Sequence, residues 1–151
     1  MSRRTARRHA FFLTFQIEFY VDYDPLAQAK LYLDGLIETP FDEEELCDGG
    51  VTEEDGRFIL SELCGVYDNL GAIDALISEN LSGWEIDRIN KTDLAIIRLA
   101  VYEMLYEASI PPGVSINEAV ELAKQYGTDE SYQFVNGILG RVYELTAACD
   151  G

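Results

Sequence analysis

Apolar residues recur every three to four positions along almost the whole chain, and no stretch alternates with a sustained period of two. That pattern removes strands and leaves helices. Residues 5–20 set Leu13, Ile17 and Tyr20 on one stripe and Phe11, Phe15 and Phe19 on its neighbour, a wide apolar face. Asp24-Pro25 opens a second helix, with proline in a tolerated first turn, carrying Leu26, Leu33 and Leu36–Ile37. The acidic run ETPFDEEELCDGGV (38–51) reads as a loop. Thr52 with Asp55 resembles a capping arrangement, and Phe58, Ile59, Leu63 and Val66 face inward behind it. Helical spacing continues from Asn69 through Leu70, Ile73, Leu76, Ile77 and Leu81 until Ser82-Gly83 breaks it. Trp84, Ile86 and Ile89 are expected to pack a short connection.

Asn90 is a suitable N-cap with Asp93 at the third helical position, and Leu94, Ile97, Val101 and Leu105 follow in an apolar helix to about Ala108. Ile110-Pro111-Pro112-Gly113 stops it. Ser115 and Glu118 have capping-box spacing, which predicts a helix starting there and ending near Gly127. A last helix is expected from about Glu130 to Leu145. The reading is all-α, a compact bundle of roughly seven helices.

With 151 residues, 48% of them apolar, the chain has the mass of one domain, and its core rules out wholesale disorder. Its charge is lopsided: 11 Lys and Arg stand against 28 Asp and Glu, a net of −17. Arg3, Arg4, Arg7 and Arg8 have no acid beside them. Without those four, seven basic residues face the 28 acids, so residues 9–151 carry −21. Such a body repels phosphate, which excludes a blanket nucleic-acid binder. The basic tip has two readings, a solubilising terminus or an arginine-rich anion contact.

The N-terminal segment has a basic start and an apolar stretch, but Gln16 and Glu18 interrupt the run and no small-residue cleavage site follows, so it does not read as a signal peptide. No apolar run approaches the roughly 18 residues of a spanning helix. Cys47, Cys64 and Cys149 are odd in number and lack CxxC spacing, and the chain has one histidine, so neither a zinc site nor a disulfide framework is expected. The expected compartment is the cytosol. Catalysis has little to work with. His9 lies among the arginines, away from any nucleophile motif, and reads as a surface or RNA-contact residue. The acids at 43–45 and 53–55 sit where solvation or a helix dipole explains them, and nothing fixes a metal-ligand geometry. No cofactor is expected, and the chain reads as a binding protein.

Two segments are more specific than a generic helix. NKTDLAIIRLAVYEML (90–105) and IPPGVSINEAVELAKQYGTDESYQFVNGILGRV (110–142), with GVYDNLGAIDALI (65–77) and the N-terminal RRTAR, resemble the NusB family of transcription antitermination factors. SINEAVELAK (115–124) and FVNG (134–137) are the most specific parts. The resemblance implies two small helical subdomains packed across one another in a single RNA-binding domain over residues 1–151, with no catalytic activity. It implies binding of boxA-type leader RNA together with the ribosomal protein NusE, within an assembly on RNA polymerase, and no membrane association.

Residue by residue, Arg4 and Arg7 match the family's recurrent arginines, and Arg3 lies in the same tract. Phe134 matches an aromatic near the RNA path, and Asp93 an acid that meets NusE. Arg8 stands where many relatives carry an acid, which strengthens the tip, and His9 and Phe11–Phe12 replace smaller residues. The physics agrees in outline: guanidinium groups contact phosphates or stack on splayed bases, and an exposed Phe134 adds base stacking. The competing readings are core packing for Phe134 and first-turn dipole stabilisation for Asp93. Two other function classes stand beside this one. One is a protein-interaction module whose acidic surface takes a basic partner. The other is an RNA-modifying enzyme, since NusB-like domains also occur fused to RNA cytosine methyltransferases; that applies only to a fragment of a longer chain.

Overall fold

A computed structural model describes residues 1–20, 22–38 and 50–150, apart from the side chains of 37, 38 and 148–150. Among these residues lie seven α-helices: α1 (Arg3–Gln16), α2 (Pro25–Glu38), α3 (Glu53–Asp68), α4 (Leu70–Glu79), α5 (Lys91–Tyr106), α6 (Pro112–Tyr126) and α7 (Ser131–Asp150). Single turns of 3-10 helix follow α1 (Ile17–Phe19) and precede α5 (Ile86–Arg88). The loop expected over 38–51 falls largely outside the described residues, as do Cys47 and the side chain of Cys149.

Local chemistry accounts for most helix starts. Ser2 accepts a hydrogen bond from the Thr5 N–H to cap α1. Asp24 accepts from Ala27 at the start of α2, with Pro25 in the first turn, where its missing N–H costs nothing. Thr52 and Asp55 form a complete capping box on α3. Asn90 accepts from the N–H groups of Thr92 and Asp93 at α5.

Helix α5 is the axis of the molecule. Every residue from Asp93 to Glu103 is buried, as expected of a helix enclosed on all sides. α1 and α3 pack on one flank with α2 behind α3, while α4, α6 and α7 close the other. One continuous apolar cluster, from Ala6 and Leu13 through Leu63, Ile97 and Val101 to Leu139, joins the two groups. Gly65 is required where α3 meets α5, since a Cβ there would lie 2.2 Å from the Tyr102 ring.

The helical spacing from Asn69 is helix α4, which follows α3 after that single residue. Three expectations need correction. The last helix runs past Leu145 to Asp150. Helix α6 begins at Pro112, so Ser115 and Glu118 lie within it and are not its cap. Leu26 and Trp84 are 61% and 57% exposed instead of packed.

Candidate nucleic-acid interface

Four arginines within six residues of an α-helix divide between adjacent faces, because residues four apart share a side. Arg3 and Arg7 turn toward α3. The Arg3 guanidinium lies 4.1 Å from the centre of the Phe58 ring, and Arg7 reaches the same ring at 5.6 Å. Arg4 and Arg8 turn toward α6. Arg4 donates from Nε and Nη2 to the two Glu118 oxygens, both at 3.0 Å, while Arg8 donates twice to the Tyr126 hydroxyl.

Depth separates these residues. The side chains of Arg3 and Arg4 are about half exposed or more, and Arg3 meets Glu54 only loosely, at 3.6 Å. Arg7 is buried. Its Nε and Nη2 donate to Glu103 at 2.9 and 3.1 Å, and Glu103 accepts a third bond from the Ser115 hydroxyl. Burial alone would lower the Arg7 pKa, but the hydrogen bond and charge of Glu103 outweigh it and raise the value. Arg7, expected with Arg4 to face RNA, is therefore not exposed: its guanidinium is held on the core side of α1 by Glu103. Beside it, Glu62 is buried with Oε2 unpartnered, and burial, reinforced by the adjacent Glu103 charge, holds its carboxyl far above the usual range.

A cavity of about 420 Å³ opens at this tip, walled by Arg3, Arg4, Phe58, Glu62, Pro111 and Glu118. Its wall combines the exposed guanidinium groups of Arg3 and Arg4 with the Phe58 ring. The SINEAVELAK segment now has a physical role: Ser115 steadies Glu103 beneath Arg7, and Glu118 holds Arg4 at the surface.

The remaining candidates are scattered. His9 is fully buried, with Nδ1 2.6 Å from the Tyr32 hydroxyl and its ring edge-on to Phe12, so it is not a surface residue. Asp93 is 6% exposed and not solvent-facing. Burial raises its pKa against a hydrogen bond from Ser131, and Oδ1 has no partner. Phe134 is half-buried on α7, 6.0 Å from the exposed Trp84 ring at an interplanar angle of 33°. Trp84 escaped the sequence reading because a tryptophan before a 3-10 turn looks like packing; the Ser82-Gly83 break beside it was the available signal. Glu118 and Tyr126 were missed as arginine partners because helix contacts this distant leave no local pattern. No helix among the described residues is long and apolar enough to cross a membrane.

The NusB family model matches residues 4–144. The transcription antitermination protein NusB of Agathobacter rectalis is 43% identical over 141 residues, covering 93% of this chain and 98% of its own. That of Lachnoclostridium phytofermentans is 36% identical over 144 residues, covering 95% and 100%. Among solved structures, T. maritima NusB superposes with a TM-score of 0.77 at 36% identity, over 95% of this chain and 92% of the other. A complex of antitermination factors NusB and NusE with dsRNA contains a chain with the same fold, at TM-score 0.75 and 22% identity over 95% and 96%. With this seven-helix architecture, the motif that holds the arginine tip and these full-length matches together, the chain belongs to the NusB family.

Proposed function

We propose that this protein is a transcription antitermination factor that binds boxA-type single-stranded leader RNA together with the ribosomal protein NusE. It acts as one domain over residues 1–151, within the antitermination complex on RNA polymerase, in the cytoplasm, and works by binding and not by catalysis. One observation carries the reading: Arg3 and Arg4 stand exposed at the mouth of the α1 cavity, and Arg4 is held there by Glu118 of the family motif. The curated relatives are antitermination proteins, and a chain of the same fold is seen with NusE and dsRNA. Phosphate contacts from Arg3 and Arg4 position the strand, Arg8 lies one turn further along, and Phe134 offers a ring to a base. Arg7 acts from beneath, fixing α1 to α5.

A second reading is favoured by charge: with a net of −17 and every tip arginine already partnered inside the chain, the acidic body suits a basic protein. Titrating fluorescently labelled boxA-type RNA with and without saturating NusE separates the two. The antitermination reading expects RNA binding that NusE tightens, with NusE binding tightened by RNA through the same factor. Arg3→Ala with Arg4→Ala should reduce the salt slope by about 1.4, taking about 0.7 per single-strand phosphate contact. NusE binding with no RNA binding under either condition would leave the protein-module reading.

A further inference from the structure

Carboxylates answer most cations of this chain. Lys91 and Arg98 share Glu18, Arg98 also holds Asp74, and Lys124 meets Glu121, in addition to the pairs at the tip. Lys30, Arg57, Arg88 and Arg141 have no such pair among the described residues, and the last two both border a cleft at Trp84. Among the described residues Arg88 makes no ion pair, although Glu85 lines the same cleft, and Arg141 donates only to the backbone oxygen of Asn80 at 2.8 Å. Two exposed arginines beside one aromatic residue give a phosphate chain a local cationic contact on an otherwise acidic molecule.

Trp84 shares a cleft with each of them. Its ring walls a cleft of about 310 Å³ shared with Gly83, Glu85 and Arg88, and a second of about 230 Å³ shared with Asn80, Gln133, Phe134 and Arg141. It is thus a largely exposed aromatic residue bordering two slots, each with an arginine in its wall. A third depression, between α6 and α7, shares Gln133 and Gly137 with the second slot and reaches Gly113. The same first turn of α6 supplies Val114 to the arginine-tip cavity, so the surface runs from Arg3 and Arg4 to Trp84 without leaving α6 and α7.

Resting on the function proposed above, we propose that Trp84 is a base-stacking residue for single-stranded RNA, with Arg88 and Arg141 taking the flanking phosphates. Every base offers a π-face to such a ring, and the two arginines supply the charge that the acidic body otherwise denies to a phosphate chain. A protein partner would also value an exposed tryptophan, but two slots that share it, each with an arginine in its wall, match the alternation of base and phosphate along a strand.

Trp84 is the sole tryptophan of the chain, so its emission reports this site alone. The full chain is titrated with boxA-type RNA while Trp84 fluorescence and the anisotropy of labelled RNA are followed together. The expected result is quenching that saturates at the same RNA concentration as the anisotropy. Trp84→Ala should weaken binding about 5- to 150-fold at unchanged thermal unfolding, and Trp84→Phe should restore most of it. Binding seen by anisotropy with unquenched emission and an unaffected Trp84→Ala overturns the assignment while leaving the function standing. No RNA binding by the unsubstituted protein, with or without NusE, overturns both. Quenching by NusE but not by RNA overturns it in favour of a protein-binding face.

Discussion

Arg4 and Arg7 lie one turn apart on α1, each bidentate on a glutamate, yet the consequences of losing them are far apart. The Arg4–Glu118 pair is solvent-facing, where screening and side-chain entropy leave about 0–1 kcal/mol. Arg7→Ala strands a buried carboxylate, which typically costs about 3–5 kcal/mol. Urea denaturation should therefore show Arg4→Ala near the unsubstituted protein and Arg7→Ala strongly destabilised; equal midpoints would mean that water reaches Glu103. Glu62 adds a pH signature. Its folded pKa is raised by burial and by Glu103 above the ordinary 4.5, so the folded state holds a proton that the unfolded state releases. Stability linked to that proton is complete below about 4.5 and is lost progressively as pH rises from there to the folded value of about 10. Glu62→Gln should flatten this decline and exceed the unsubstituted protein in thermal stability at alkaline pH. A parallel decline in both proteins would assign it to other groups.

Helices show why some starts were legible and one was not. Thr52–Asp55 and Asn90 act as their spacing suggests: Asp55 keeps its bond to the Thr52 N–H even though the Met1 ammonium pairs with the same oxygen. Ser115 and Glu118 have equally good spacing, but neighbouring helices claim them: Ser115 donates to Glu103 on α5, and Glu118 accepts from Arg4 on α1. The pattern S-x-x-E records two residues on one helical face; which partners that face meets is a tertiary fact. Proline position was the better local signal, since Pro112 opens α6. The periodicity of α5 likewise gave its apolar face but not the burial of Asp93, which depends on Ser131 arriving from α7. Helix contact also fixes Gly65. An added methyl would meet the Tyr102 ring at 2.2 Å, and Tyr102 is itself buried and hydrogen-bonded to Glu107. Overpacking of this kind costs about 1–3 kcal/mol, while alanine's helix propensity returns at most about 1 kcal/mol. Gly65→Ala should lower the melting temperature, and an unchanged value would show that Tyr102 swings aside freely.

At the scale of the whole molecule, the asymmetry of charge was plain in the sequence, but the way the chain manages it was not. The acidic body does not merely surround the basic tip; it reaches into it, through Glu54 to Arg3 and Glu118 to Arg4. A phosphate approaching Arg4 competes with a carboxylate that already holds its Nε–Nη2 edge in fork geometry. Glu118→Gln should then tighten RNA binding. The exposed pair is worth about 1 kcal/mol at most, so the gain should not exceed about fivefold, and it should shrink as salt screens both the pair and the phosphate. A global reduction in negative charge would give a similar sign, so the double variant decides. With Arg4→Ala in place, Glu118→Gln should yield little further gain if the carboxylate works by occupying Arg4, because the coupling then lies in that one contact. An undiminished gain in the Arg4→Ala background would instead show that the tip feels the summed field of the acidic body and that Glu118 is one charge among many.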